Sequence, residues 1–427
     1  MQRRNLFKYL GASALGLSTS GSILKAMEKE YTGSLAFLKE LSGLKDDDFW
    51  AGIRSAYSVN PTMINLNNGG VAPSPRVVQE ALDYYNRMCN DGPSYYMWRV
   101  LDGGREPMRK NMAEIAGCDM EELAFNRNSS EALETIIFGL RLNKGDEVVL
   151  TKQDYPNMIN AWKQREKRDG IVLKWINFDF PIEDKKKIID AFSAQFTPRT
   201  KVVHITHAIN WNGQLLPARE IADVARKNGI EVLVDAAHSF AHFPYKIKDL
   251  NCDYFGTSLH KWLSAPIGSG LLYVRKEKIK NLYPLLASAD SESTDIRKFE
   301  SLGTRSLAIE QAIANAIDFY RMIGPERKFD RLFELKTYWT NKVIQHPKVK
   351  ITSPLSKEFS GAIANVSVLG KKPNELADFI YNDNRIHSVA INWENINSVR
   401  ITPNVYTSLN DLDKLVESIL KLADTKD

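Results

Sequence analysis

The sequence has 427 residues, a length that is typical of two domains and sufficient for a large buried core. Its 43% hydrophobic and 26% charged residues exclude a largely disordered chain. The net charge of +5 arises mainly in residues 1–26, which hold four basic residues and no acid; the rest carries 53 basic and 52 acidic residues. This near balance gives no argument for nucleic acid or an anionic membrane as a partner. The three cysteines, Cys89, Cys118 and Cys252, lack metal-type spacing and cannot all pair, which excludes a disulfide scaffold.

The first 26 residues have the pattern of a targeting segment. MQRRNLFKYLGASALGLSTSGSILKA has a basic start and then a mildly apolar run rich in Gly, Ser and Thr. Its RRNLFK core resembles a twin-arginine export signal, and LKA before Met27 is an imperfect cleavage site. The run is too short and too polar for stable membrane insertion, and an amphipathic helix is the alternative. We therefore expect a periplasmic or otherwise exported protein, and a cytoplasmic one if this segment is not a signal.

From about residue 75 to residue 275 the chain alternates helical and strand patterns. Apolar residues at helical spacing behind an N-cap-type start predict a helix in SSEALETIIFGLRL (129–142). Short β-branched runs predict strands at residues 146–151, 201–206, 230–235 and 269–275. This alternation predicts a mostly parallel sheet covered on both faces, with ligands at the carboxyl ends of its strands.

After about residue 305 the pattern predicts a smaller α+β domain. A helical region over 306–345 leads to strands in AIANVSVLG and VRITP, a helix over 373–382, and a final amphipathic helix with Ser408 and Asn410 as candidate caps. The predicted division of the chain is a targeting segment (1–26), an N-terminal segment that packs on the small domain or on a partner subunit (27–65), a large domain (66–305) and a small C-terminal domain (306–427).

Two charged residues stand at the ends of predicted strands. Asp235 ends one strand, and Lys261 follows another strand 26 residues later. Taken singly, the aspartate has the plain interpretation of a helix N-cap and the lysine that of a solvated charge. Together they meet the needs of an aldehyde cofactor with a pyridine ring, which requires an amine to bind it as a Schiff base and an acid to keep the ring nitrogen protonated. Gly268 and Gly270 let the backbone turn closely after the lysine.

Residues around this pair are candidates for holding a phosphate and a planar ring. Ser129 and Ser130 lie at a predicted helix start, where free N–H groups and the macrodipole favour a phosphate; plain capping is the alternative and is compatible with that role. Ser258 and His260 flank the lysine and are candidates for further phosphate contacts. Tyr155 follows a strand and is a candidate for stacking on a ring, although a lone tyrosine is more often core or interface.

The segments VDAAHSFAH and FGTSLHKWLSAPIGSGLLYVR together resemble the cofactor core of the class V aminotransferases. These are pyridoxal-phosphate (PLP) enzymes of fold type I and include cysteine desulfurases, kynureninase and isopenicillin N epimerase. The resemblance extends over most of the chain after residue 60. It implies an α/β fold with a seven-stranded, mostly parallel sheet in the large domain, PLP as cofactor, and Lys261 as the catalytic Schiff-base residue.

The resemblance also implies roles for single residues. RNSSEALE resembles the phosphate-binding turn and helix, and DYPN occupies the place of the ring-stacking residue, here Tyr155. HITHAINWNGQLLP resembles the strand whose later asparagine contacts the ring hydroxyl, which implies Asn210, and His238 lies where the family has a Gln or His near that hydroxyl. FESLGTRS resembles the loop through which a second subunit's threonine touches the phosphate, so Thr304 predicts a homodimer. VRITPNVYTSLNDLDKL resembles the motif whose arginine, here Arg400, holds the substrate carboxylate in a two-pronged hydrogen bond.

Two early segments, INLNNGGVAPSPRVVQEAL and YYMWRVLDGGREPMRK, resemble the isopenicillin N epimerase-like branch, in which they shape the substrate pocket. Asn67, Asn68, Trp98 and Arg99 are therefore candidate substrate contacts. A structural role in the packing of the N-terminal segment is an equal alternative.

Metal and serine-hydrolase sites are weaker interpretations. Five of the seven histidines fall between residues 204 and 260, but His204 and His207 are three apart on a predicted strand and point to opposite faces. No carboxylate cluster or cysteine pair joins them, so we expect no metal site. The chain also lacks a G-x-S-x-G elbow.

The core motif does not separate transamination, epimerisation and elimination, because the Schiff-base lysine serves as proton-transfer base in each. The absence of cysteine after Cys252 argues against a persulfide-forming desulfurase. The leading hypothesis is an exported, dimeric PLP enzyme that acts on an amino acid or peptide-like amine as an aminotransferase or epimerase. The alternatives are a C–S lyase of the cysteine desulfurase or selenocysteine lyase type and a catalytically inactive PLP-binding protein.

Replacing Arg3 and Arg4 by lysine tests the export signal. We expect the variant to stay in the cytoplasm, because the twin-arginine pair is the recognised feature. Cell fractionation of the wild type and the variant measures this, and an unchanged location would remove the signal interpretation.

Overall fold

The computed structural model describes residues 46–425. The predicted targeting segment, with its cleavage site before Met27, lies outside the described residues. None of the helices between residues 46 and 425 combines the length and the apolar character that a membrane crossing requires.

The first described elements contact the C-terminal part of the chain. They are α1 (Asp46–Ser55), β1 (Ile64–Asn65), α2 (Arg76–Asp91) and α3 (Arg105–Ala116). β1 pairs in parallel with residues 386–387, and Arg54 donates hydrogen bonds to the Tyr406 carbonyl at 2.8 Å and to Asp411 at 2.7 Å. Residues 46–65 therefore contact the C-terminal part. The packing of the whole segment 27–65, on the small domain or on a partner subunit, stays a prediction.

A seven-stranded sheet forms the centre of the molecule. Its strands are β2 (Leu123–Asn126), β3 (Glu147–Thr151), β4 (Val172–Ile176), β5 (Thr200–Thr206), β6 (Glu231–Asp235), β7 (Tyr254–Ser258) and β8 (Gly270–Val274). Their order across the sheet is β2-β8-β7-β6-β5-β3-β4. β8 alone runs opposite to the other six strands, because a loop without a crossover helix (residues 259–269) joins it to β7. The predicted α/β fold with a mostly parallel sheet is confirmed.

Helices cover both faces of this sheet, so its strands are buried on both sides. The helices between the strands are α4 (Ser129–Gly139), α5 (Pro156–Asp169), α6 (Lys185–Ser193) and α7 (Ala218–Lys227). Along β6, Val232 and Val234 join one hydrophobic core while Leu233 joins the other. Asn128 caps α4 by accepting a hydrogen bond from the Glu131 N–H at 2.9 Å, so the two serines predicted at the helix start occupy its first turn instead.

The C-terminal part is an α+β unit around a four-stranded antiparallel sheet. Its elements are α8 (Leu307–Ile323), α9 (Pro325–Val343), β9 (Val349–Ile351), β10 (Ala364–Val368), α10 (Pro373–Asn384), β11 (Ile386–His387), β12 (Val389–Trp393), β13 (Ile396–Ile401) and α11 (Leu409–Asp424). The strand order in the sheet is β12-β13-β10-β9. Gly324 separates the predicted long helical region into α8 and α9. Of the two candidate caps of α11, Ser408 is the cap and Asn410 lies inside the helix. The exact domain boundaries stay predictions.

Candidate active site

A cavity of about 370 Å³ lies at the carboxyl ends of three neighbouring strands. The last residues of β5, β6 and β7, which are Thr206, Asp235 and Ser258, all line it. Parallel strands end at the same edge of a sheet, so residues that are distant in sequence meet here. The sequence-predicted residues in the lining are Ser129, Ser130, Tyr155, Asn210, Asp235, His238, Ser258, His260 and Lys261.

Lys261 is poised to lose its proton near neutral pH. Burial lowers its pKa from 10.5 to about 8; the nearby Asp235 carboxylate opposes this shift, and the Arg400 charge adds to it. Its Nζ lies 3.1 Å from Nε2 of His238. Burial and the Lys261 charge lower the pKa of His238 well below 6.5, so the imidazole is neutral and can accept a hydrogen bond from the amine. A neutral amine in a cavity is a nucleophile.

Asp235 is a buried carboxylate at the end of β6. One of its oxygens accepts the Ala237 N–H at 2.9 Å. Burial raises its pKa, while His204, the Ala237 N–H and Lys261 act in the opposite direction. Its neighbour in β5, Thr206, is held by a second buried carboxylate.

That second carboxylate, Asp154, was not predicted from the sequence. It accepts hydrogen bonds from the Thr206 hydroxyl at 2.7 Å, from the Thr151 N–H at 2.8 Å and from the Thr151 hydroxyl at 2.9 Å. Burial raises its pKa to about 6. The sequence held only an indirect signal for Asp154: Thr206 ends the KVVHIT strand, and strand ends face the site. Nothing in the sequence near Asp154 indicated that it binds Thr206.

The N-terminus of α4 forms one end of the cavity. The Ser258 hydroxyl oxygen accepts the Ser129 N–H at 2.9 Å and lies 3.0 Å from the Ser129 hydroxyl. Ser130 and His260 complete this end, and the His260 ring is held by the Ser269 carbonyl at 3.1 Å. A helix N-terminus surrounded by hydroxyl groups attracts a phosphate through its free N–H groups and its dipole.

Unsatisfied polar atoms indicate that the cavity is built for a polar ligand. Oδ1 of Asn210 and Nδ1 of His238 are buried without a hydrogen-bond partner in the described chain, although both residues line the cavity. Each such atom costs about 1–3 kcal/mol unless a ligand or water satisfies it. Tyr155, 41% exposed, contributes an aromatic ring to the same wall. An amine, a carboxylate, a helix N-terminus and an unsatisfied amide fit a phosphorylated pyridine aldehyde.

Arg400 is buried next to this cavity, and no acidic side chain between residues 46 and 425 forms an ion pair with it. Its Nη1 donates to the Asn210 carbonyl at 2.8 Å and its Nη2 to Oδ1 of Asn67 at 2.9 Å, whereas its Nε has no partner among the described residues. Burial lowers its pKa to about 10. A buried guanidinium without a carboxylate is costly, and it suits a site that receives a carboxylate from a ligand. Asn67 therefore supports Arg400, which is consistent with its predicted place near the substrate.

The structure does not bring four of the other predicted residues into the cavity. The side-chain amide of Asn68 is occupied by the chain itself, accepting the Tyr406 hydroxyl at 2.6 Å, which favours the structural alternative for this residue. Trp98 and Arg99 are exposed and do not line the cavity. Thr304 is exposed on a loop outside the cavity of its own chain, and its contact with a partner's phosphate stays a prediction.

Between residues 46 and 425, no group of three or more His, Cys, Asp or Glu side chains is arranged to hold a metal ion. His204 instead accepts the indole N–H of Trp162 at 3.2 Å, and His207 packs edge-on against Phe243 and Tyr245.

The pH dependence of Lys261 reactivity tests this electrostatic arrangement. We expect an amine-directed reagent to label Lys261 of the apo protein at a rate that rises with a midpoint near pH 8, because only the neutral amine reacts. Exposed lysines should show a midpoint near about 10.4. Asp235→Asn should move the Lys261 midpoint lower, since the carboxylate stabilises the ammonium form. Peptide mass spectrometry at a series of pH values measures both, and a Lys261 midpoint equal to that of exposed lysines would contradict the burial argument.

Comparison with known proteins identifies the family. The family model described as Aminotransferase class-V matches residues 64–414. An isopenicillin N epimerase from Streptomyces clavuligerus is 26% identical over 387 residues, covering 87% of this chain and 97% of the relative. A probable cysteine desulfurase from Synechocystis sp. is 27% identical over 340 residues, covering 75% and 80% of the two chains.

Solved structures agree on the fold. The apo cysteine desulfurase of Thermococcus onnurineus NA1 superposes with a TM-score of 0.77 at 22% identity, covering 89% of this chain and 99% of that one. A variant of C-DES with glycine covalently linked to its PLP cofactor superposes with a TM-score of 0.76 at 20% identity, covering 90% and 100%. The chain belongs to the class V aminotransferase family of PLP-dependent enzymes.

Proposed function

We propose that this enzyme acts on an amino acid or a peptide-like amine as an aminotransferase or an epimerase, with Lys261 as its catalytic residue. The observation that carries the proposal is the Lys261 amine in a cavity lined by Asp235 and His238, next to the buried Arg400, which has no acidic partner among the described residues. The relative named isopenicillin N epimerase supports the epimerase interpretation, because the match covers 97% of that relative and 87% of this chain.

Bound PLP supplies an aldehyde carbon and an electron-accepting ring. The chain would hold its phosphate with Ser129, Ser130 and Ser258 at the N-terminus of α4. Asp235 would keep a proton on the ring nitrogen, since a buried carboxylate beside a protonated nitrogen stabilises that charge. Asn210 and His238 would satisfy their unpartnered atoms on the ring hydroxyl.

Lys261 moves the proton in this proposal. With a pKa of about 8 the amine gives up and regains a proton close to neutral pH, as a general base must. The neutral His238 imidazole 3.1 Å away accepts a hydrogen bond from Nζ and so orients the amine. The same proton transfer at the substrate's Cα serves transamination and epimerisation alike.

Arg400 would select the substrate by its carboxylate. Its Nε–H has no partner in the described chain, and Nη1 and Nη2, which carry two N–H groups each in a planar fork, donate to Asn210 and Asn67. Two parallel hydrogen bonds from such a fork recognise a carboxylate by geometry as well as by charge. The proposed substrate class is therefore amines with a carboxylate on the same carbon.

A C–S lyase is the second candidate, because several relatives are named cysteine desulfurases. The three cysteines of the chain weigh against a persulfide route. None of them lines the cavity, and burial raises the pKa of Cys118 and that of Cys252, the latter to about 12. A thiol that stays protonated is a poor nucleophile. A lyase that works without a cysteine nucleophile would release sulfide from cysteine.

Incubating the PLP-loaded protein with a panel of L-amino acids tests the reaction type. We expect conversion to the pyridoxamine form for an aminotransferase, or exchange of the α-hydrogen for deuterium without keto acid for an epimerase. Absorbance and mass spectrometry measure the two, and Lys261→Ala, which lacks the amine, is the control. Sulfide release from cysteine would instead establish the lyase, and no reaction with any amine would support the inactive PLP-binding protein.

We also propose a homodimer in which Thr304 of each chain contacts the phosphate of the other, and export through residues 1–26. The exposure of Thr304 outside its own cavity supports the first proposal, and the RRNLFK pattern supports the second.

Replacing Thr304 tests the shared site. If its hydroxyl donates to a charged phosphate, Thr304→Ala should raise the Kd for PLP by about tenfold or more. Ser301→Ala, an exposed neighbour on the same loop, is the matched control and should bind PLP as the wild type does. Equilibrium dialysis with PLP measures the change; a monomer in sedimentation analysis, or equal affinity of the two variants, would refute the proposal.

A further inference from the structure

Lys328 is a buried lysine that the proposed mechanism does not use. It lies on α9 and is 4% exposed. Its ammonium donates a hydrogen bond to the carbonyl of Trp262 and lies 5.2 Å from the centre of the Tyr320 ring. Within the described part of the chain no carboxylate lies at ion-pair distance, and burial alone lowers its pKa to about 7.

Packing does not account for a charge at this position. An ammonium group has three N–H donors and loses its hydration when it is buried, and here one carbonyl is its hydrogen-bond acceptor. A methionine of similar length would fill the same space without this cost. The amine therefore needs a reason other than packing, and its hydrogen bond to the Trp262 carbonyl indicates where that reason lies.

The Trp262 carbonyl belongs to the residue that follows Lys261, in a turn with unfavourable backbone geometry. Ser264, two residues on, has a φ of +59°, which is uncommon for a residue other than glycine. Its N–H donates to the Lys261 carbonyl at 3.2 Å. Such a turn keeps its shape only when its surroundings hold it, and the Lys328 ammonium holds it from the side of α9.

His242 holds the same turn from a second side. Its ring stacks on the Trp262 indole at 3.7 Å with an angle of 9° between the planes. Its Nε2 accepts the Ala362 N–H at 2.8 Å, so its Nδ1 carries the proton and donates to the His238 carbonyl at 2.8 Å. Burial and the Lys328 charge lower the pKa of His242, to about 3, which keeps this arrangement neutral and fixed.

Gly361 makes this contact possible. A Cβ at Gly361 would collide with the imidazole of His242, so only glycine lets the loop before β10 come close enough for the Ala362 N–H to reach it. The turns that carry Lys261 and His238 are thus joined to the C-terminal part of the chain.

We propose that Lys328 is a positioning residue for Lys261, acting through the Trp262 carbonyl. It fixes the backbone from which the Lys261 side chain projects, while His242 fixes the backbone of His238. Together they set the 3.1 Å separation between the Lys261 amine and the His238 imidazole. The inference rests on the proposed role of Lys261 in holding PLP.

Lys328→Met tests this role, with Lys336→Met as the matched control. Lys336 is a buried lysine on the same helix, and it donates to the Pro354 and Leu355 carbonyls and to Ser360, away from Lys261. Two properties of each purified protein are measured: the rate at which added PLP forms the visible absorption band, and the pH midpoint of that band. We expect Lys328→Met to slow band formation by about 100-fold, the loss that a misplacement of about 1 Å produces, and to shift the midpoint. Lys336→Met should match the wild type in both.

A purely structural role for Lys328 predicts a different result. Lys328→Met would then lose thermal stability, as Lys336→Met does, but would keep the wild-type rate and midpoint, and this outcome would overturn the inference. If Lys328→Met does not fold, Lys328→Gln takes its place, because its amide nitrogen is one bond closer to the backbone than Nζ and so loses the contact with the Trp262 carbonyl. A slower rate then supports the inference and a wild-type rate overturns it. A wild-type protein that forms no band at all would refute the proposed function instead.

Discussion

Burial of the Lys261 ammonium beside the Asp235 carboxylate is the interaction on which the rest of the site depends. Loss of hydration brings the pKa of the amine down to about 8, and the carboxylate limits how far it falls. Asp235 ends β6, and Lys261 follows the end of the adjacent strand β7 by three residues, so the sheet edge brings the two residues together and the turn after β7 sets the final position of the lysine. The hydrophobic cores on both faces of the sheet keep these strands in place.

The charges around the cavity explain what kind of ligand completes it. Lys261, Arg400 and the N-terminus of α4 contribute positive charge or potential, and Asp235 alone among the lining residues at the sheet edge offsets it. A ligand with a phosphate at one end and a carboxylate at the other would balance these charges. The arrangement thus suits PLP together with an amino-acid substrate, and burial of the same groups makes their interactions stronger than they would be in water.

The parts of the fold and site that follow from local patterns were predictable from the sequence. β-branched runs and strand ends located the parallel sheet, Asp235 and Lys261, because the strand period and the carboxyl-edge rule need no tertiary information. The reversed direction of β8 follows from loop length and was missed. Asp154 was also missed, because its link to Thr206 spans two strands.

Sequence patterns also could not predict which polar side chains are hydrogen-bonded within the chain and which can bind a ligand. Asn67 and Asn68 are neighbours in one motif, yet Asn67 supports Arg400 while the amide of Asn68 is occupied within the chain. Only the packing of the C-terminal residues against this segment decides between them. The burial of Lys328 could not be predicted either, because nothing in the sequence of α9 distinguishes it from an exposed lysine.

The role of Lys261 is tested most directly by finding which residue carries the cofactor. The PLP-loaded protein is reduced with borohydride and digested, and its peptides are mapped by mass spectrometry. We expect one phosphopyridoxyl group, on Lys261, and none in the Lys261→Ala variant. A cofactor attached to another lysine, or no attachment after loading, would contradict this role.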